Sequence, residues 1–152
     1  MEEKSIFEKF ELQLDSTAKD FLKETAKWAY FLSILGFIGV GFFILIAIFA
    51  GAIFSAMGNS MQGMGVYGGS FGAAMGAFYF VMAVLYFFPV YFLFKFSSNA
   101  KKAFANNDSE SLTESLGYLK SHYKFIGVLM IVCLALYALF FVFAIFGAIM
   151  GR

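Results

Sequence analysis

Very few side chains in this sequence could perform chemistry, and they do not form a set. His122 is the only histidine and stands beside Tyr123 and Lys124; a histidine there could serve as a metal ligand or proton carrier. Cys133 is the only cysteine, so an intrachain disulfide is ruled out and an inert buried thiol is the plain reading. Met57, Met61 and Met64 approach helical spacing, and thioethers are soft ligands suited to Cu(I). Methionine is equally a flexible filler of apolar gaps. Catalysis needs an acid, base, nucleophile or metal in a shielded pocket, and proton- or ion-coupled transport usually needs ionisable groups within the membrane. The apolar runs offer only tyrosines and Cys133. The sequence therefore predicts no enzyme, and no catalytic, cofactor or metal residues.

The segments that would have to position these groups are membrane spans. From Trp28 to Phe94 the chain has no Asp, Glu, Lys, Arg or His. A soluble helix would place charges on its solvent face throughout such a length. Overall, 61% of the 152 residues are hydrophobic, 21% are aromatic and 14% are charged, against about a quarter charged in soluble domains. The Gly-rich phrase Gly58 to Ser70 divides the apolar stretch, and a third charge-free run follows from Phe125. The expected fold is all-α, with three transmembrane helices, an N-terminal amphipathic lead-in helix and a short cytosolic helical hairpin between the second and third spans. In residue ranges this gives a cytosolic tail over 1–15, lead-in helix and first span over 16–57 and outer loop over 58–70. The second span with its cytosolic extension covers 71–105, and the cytosolic helix with the third span covers 109–150. The first apolar run is too long for a signal-peptide core and follows an acid-rich segment, so it reads as a retained anchor.

Small residues recur along these spans at intervals of four. Ala47, Gly51 and Ser55 mark the first, Gly68, Gly72 and Gly76 the second, and Gly147 and Gly151 the third. Such spacing lets helix backbones approach closely in lipid. Because all three sets fall toward one end, while large rings crowd the other end of the second span, the bundle is expected to be tight outside and splayed toward the cytosol. Gly36, Gly39 and Gly41 do not fit that pattern. Pro89 cannot donate to the carbonyl of Leu85 and is a candidate kink.

Charge sets the expected topology. Apart from Arg152, the basic residues fall in two blocks, Lys4 to Lys27 and Lys95 to Lys124. The positive-inside rule puts both blocks in the cytoplasm and the C-terminus outside. The lead-in helix should start near Asp15, where Thr17 and Asp20 have capping-box spacing, and carry Ala18, Phe21, Leu22, Thr25, Trp28, Ala29 and Leu32 as one stripe and Lys19, Lys23 and Lys27 as another. Ser111 and Glu114 have the same capping spacing after the turn-forming Asn106, Asn107 and Asp108. Two apolar sets could dock a partner: Ile6, Phe7 and Phe10 in the acidic tail, and Leu112, Leu116 and Leu119, which should face Phe96, Ala100 and Phe104.

The phrases LQLDSTAKDFLKETAKWAYFLSILGFIG, Leu12 to Gly39, and NAKKAFANNDSESLTESLGYLKSHYKFIGV, Asn99 to Val128, resemble a family of small bacterial inner-membrane proteins known only as a domain of unknown function. The resemblance implies a three-helix architecture and brings no reaction, cofactor or site residue. The three helices and the glycine pair of the third are also similar to copper transporters. Those place paired methionines in the second helix and their N-terminus outside, where this chain has Met75 and Met82 and the opposite expected orientation. What remains informative is surface. The function expected is a non-enzymatic structural or accessory subunit of the bacterial inner membrane, with a homo-oligomeric channel or small-solute (or Cu(I)) transporter as the alternative. Lipid and other membrane proteins or further copies of the chain are the expected partners; nucleic acid is not.

Overall fold

The computed structural model describes residues 15–60 and 65–150, which are helical except at Asp15 and the Asn107–Asp108 turn. The helices are α1 (Ser16–Ser60), α2 (Gly65–Asn106) and α3 (Ser109–Met150). All three are long and apolar enough to cross a membrane. At 1.5 Å per residue each runs about 65 Å, against roughly 40–45 Å for a whole bilayer. The surplus is the charged end, where the start of α1, the end of α2 and the start of α3 meet.

Helix extends further into the Gly-rich phrase than composition suggested. Of the expected 58–70 loop, residues 58–60 and 65–70 are helical, since α1 continues to Ser60 and α2 already begins at Gly65, and 61–64 lie outside the described residues. In a bilayer each backbone N–H and C=O must find its partner within the segment, so glycine does not break a helix there as it does in water.

α1 and α2 pair as antiparallel neighbours along their whole lengths. The buried residues of α1 include Ala26, Ser33, Val40 and Ala47, seven apart, and those of α2 include Ala83, Val90 and Ser97, again seven apart. A seven-residue repeat implies left-handed winding, with each small residue admitting the partner's surface. At the far end the approach is closest. A Cβ built on Gly72 would lie 2.8 Å from the Gly51 carbonyl oxygen and 2.7 Å from the Ser55 backbone nitrogen, and one on Gly76 would lie 3.1 Å from the Ala47 carbonyl oxygen. Gly36 takes the same role nearer the charged end, where its Cβ would lie 2.6 Å from a Val90 methyl. Gly39 and Gly41 face open space.

The apolar stripe of the lead-in helix divides. Phe21, Trp28 and Leu32 are exposed, while Ala29 is buried beside Ala26 and Ser33 and Leu22 packs against the cluster that holds Ala26 and Ala29. The larger side chains would hold α2 away, whereas the small ones let it close.

α3 departs from the expected shape, since it does not join the close approach of α1 and α2 at the end away from the charges. Near the turn it packs on α2, and Tyr118 and Leu119 lie against the cluster of Ala26, Ala29, Phe96 and Ala100. From Met130 to Met150 every residue is exposed, and α3 leaves the other two helices. At the charged end α1 and α3 both lie against α2, and at the other end α3 is exposed all round. The short turn and the small buried residues Ser111 and Ser115 hold α3 to α2 at the charged end, while Gly147 has nothing within 4 Å of its Cβ position.

Candidate functional site

The charged end is built on Asp108. Asn107 ends α2 in the left-handed region, φ 51°, which asparagine tolerates better than most residues. The Asp108 N–H then reaches back to the Ala103 carbonyl at 3.0 Å, a Schellman closure. Asp108 also caps α3, accepting from the N–H groups of Glu110 at 3.0 Å and Ser111 at 3.3 Å and from the Ser111 hydroxyl at 2.6 Å. The Ser111 hydroxyl first, then its N–H, holds the Asp108 carboxyl below its ordinary range. The cap is thus Asp108 with Ser111 returning to it, three residues ahead of the expected Ser111–Glu114 box. At α1 the cap is Asp15, which accepts from the Ser16 N–H at 2.7 Å. Asp20, expected to complete a box with Thr17, instead pairs with Lys23 at 3.5 Å.

Behind the turn runs a seam of buried serines, absent from the sequence-based candidates. Ser33, Ser97 and Ser115 have no exposed surface, and each hydroxyl donates to a carbonyl three residues back, those of Tyr30, Phe94 and Leu112, at 2.7–2.8 Å. Satisfied this way, a serine packs almost like alanine and allows close helix approach. The leucine set meets this region unevenly. Leu119 packs on the Phe96 and Ala100 cluster, Leu112 lines a crevice with Phe104, and Leu116 is exposed.

Pro89 and His122, read separately in the sequence, are partners. His122 Nδ1 lies 2.8 Å from the Pro89 carbonyl oxygen, linking α3 to α2. A carbonyl only accepts, so Nδ1 carries a proton and is the donor. Phe125 follows one turn later against Phe88 and Phe92, with ring centroids 5.8 and 6.5 Å apart. These are the last ring contacts between α3 and α2 before the helices part.

On the α1–α2 side, lysines lie over aromatic rings. Lys101 Nζ sits 3.5 Å from the Tyr30 ring centroid and Lys23 Nζ 5.5 Å from that of Phe104. Lys23, Lys27 and Lys101, with Ala26 and Phe104, line a groove of about 290 Å³. Such contacts keep an ammonium close to apolar surface while leaving it charged.

Among the packing candidates, Ala47, Gly51, Ser55, Gly72 and Gly76 meet across α1 and α2, whereas no other helix among the described residues comes within 4 Å of the Gly147 Cβ position. Gly68 falls within α2. Gly151, the tail residues Ile6, Phe7 and Phe10, and Met61 and Met64 lie outside the described residues. Met57 is exposed, as is Cys133, where a buried thiol was expected. Among the described residues no three His, Cys, Asp or Glu side chains gather where a metal could be held.

A family model described as a family of unknown function, DUF5362, matches residues 54–145, from the end of α1 through most of α3. The chain belongs to DUF5362. The matched region contains the Asn99 to Val128 phrase but not Leu12 to Gly39, so it takes in the α2–α3 hairpin and only the end of α1. No curated protein and no solved structure matches the chain.

Proposed function

We propose that this DUF5362 protein is a non-enzymatic subunit of the bacterial inner membrane that works by helix association, with copies of itself or within a larger membrane complex. In this reading the N-terminus and the Asn107 turn are cytoplasmic and the C-terminus is periplasmic. The observation that carries it is the complete exposure of α3 from Met130 to Met150. By the 3.6-residue period, Cys133, Phe140 and Gly147 continue the side of α3 that carries His122 and Leu129. At the charged end that side meets α2; further along it faces a wedge-shaped opening beside α1 and α2. An opening between helices is a natural seat for another helix, and Gly147 would let its backbone approach closely.

The test is the mass of the intact assembly after purification in mild detergent. The reading expects a particle holding more protein than one 16.9 kDa chain. A lone chain without co-purifying protein would count against it. Ion or solute flux from the purified protein alone in liposomes would favour an oligomeric channel.

A further inference from the structure

The groove between the start of α1 and the end of α2 has the make-up of an anion site. Lys23, Lys27 and Lys101 line it over an apolar floor of Ala26 and Phe104. Lys23 shares its charge with Asp20 at 3.5 Å, and among the described residues neither Lys27 nor Lys101 has a carboxylate within 4.0 Å. Asp20 and Glu24 line the adjoining crevice, with Lys23, Lys27 and Trp28. The groove thus holds three ammonium groups beside two carboxylates, and two of the ammonium groups have no carboxylate partner among the described residues.

Its depth identifies the occupant. Lys27 is the last charge on α1, and Trp28, where the aromatic belt of a membrane interface belongs, is 60% exposed. Lys101 leans onto the Tyr30 ring, one turn deeper, so its ammonium is held at the level of that belt. Below it the 41% exposed Ile34 continues the apolar flank of α1. We propose that the groove binds the phosphate of an anionic lipid headgroup. Lys27 and Lys101 donate to its phosphodiester oxygens, Lys23 stands between phosphate and Asp20, and an acyl chain follows Ile34 into the bilayer. A singly charged phosphodiester suits the ammonium groups of Lys27 and Lys101, and basic pockets between membrane helices favour such headgroups. A free phosphate would share the hydrogen bonds but gain nothing from the apolar floor or the depth.

The test uses full-length protein in mild detergent, with retained lipid measured by native mass spectrometry. Phosphatidylglycerol should be retained in preference to phosphatidylcholine, and inorganic phosphate should not compete at equal concentration. K27Q/K101Q should lower phosphatidylglycerol retention roughly thirty-fold, at about fivefold per lysine. K120Q/K124Q, an equal charge change on α3, should leave it largely unchanged. An equal loss in both pairs would replace the site with diffuse surface attraction, and displacement by inorganic phosphate would overturn the lipid assignment. Trp28, the only tryptophan, gives a check that needs no variant. In phosphatidylcholine nanodiscs, trace brominated phosphatidylglycerol should quench it more than trace brominated phosphatidylcholine; equal quenching would overturn the proposal.

Discussion

At the level of single residues, the glycines divide by what a methyl group would strike. At Gly72 it would meet backbone atoms of Ser55 and Gly51 at 2.7 and 2.8 Å, which yield only if the helices separate. At Gly76 the nearest atom is 3.1 Å away, and at Gly51 it is 3.5 Å, ordinary contact. Gly72→Ala should therefore cost about 1–3 kcal/mol, as overpacking typically does. Gly76→Ala should cost less and Gly51→Ala least, while Gly39→Ala should gain the roughly 0.5–1 kcal/mol of helix preference. Reversible unfolding in mixed micelles measures the order, and equal losses at Gly72 and Gly39 would refute it. His122→Ala removes the bond to Pro89 and should cost about 0.6 kcal/mol, the average for interhelical hydrogen bonds in a membrane. Its more specific sign is a wider α2–α3 separation, readable from spin labels placed on the two helices. An unchanged distance distribution would mean that the ring contacts at Phe125 hold the helices together unaided.

Among the helices, the turn between α2 and α3 depends on one carboxylate. Asp108 is held below its ordinary range by Ser111, so its contribution is complete above that range and is lost as pH falls through the lowered value. Asp108→Ala should lower the thermal midpoint at neutral pH, whereas Asp108→Asn, which still accepts hydrogen bonds, should retain much of it and lose the acid dependence. A wild-type acid profile matching that of Asp108→Asn would show that the cap does not titrate. The three helices and the Asn107–Asp108 turn were legible in the sequence, because a long absence of charge and a cluster of turn formers have few other meanings. The fourfold spacing of Ala47, Gly51 and Ser55 against Gly72 and Gly76 was legible too. The seven-residue line of Ala26, Ser33, Val40 and Ala47 was less so. Its members are chemically unlike, and the larger Phe21, Trp28 and Leu32 draw the eye to another face. The link between His122 and Pro89 could not be read from spacing, since it depends on the register that the tight turn imposes on α2 and α3.

For the whole molecule, ten of the eleven basic residues fall in two blocks, and α1, α2 and α3 bring the described members of both to one end. A reporter after Arg152 should read as external and one replacing Asn107 as cytoplasmic; opposite readings at both would invert the topology. Orientation leaves open what fills the space beside α3, and Gly147 offers a clean way to ask. Its Cβ position meets nothing among the described residues, so Gly147→Leu clashes with none of them and should leave the unfolding of the α1–α2 pair unchanged. If a helix from another copy or another protein sits in the opening, the added side chain must hold that helix away, and the assembly should lose mass or partner. If only lipid fills it, acyl chains will rearrange around leucine and nothing measurable should follow. Deleting residues 1–14 separates the alternatives further. A subunit held through Ile6, Phe7 and Phe10 should release its partner while the helices still insert, whereas a self-contained channel should keep its mass and change at most its flux. Gly147→Leu and the tail deletion both leaving assembly mass untouched, with flux from the isolated protein, would move the function from association to conduction.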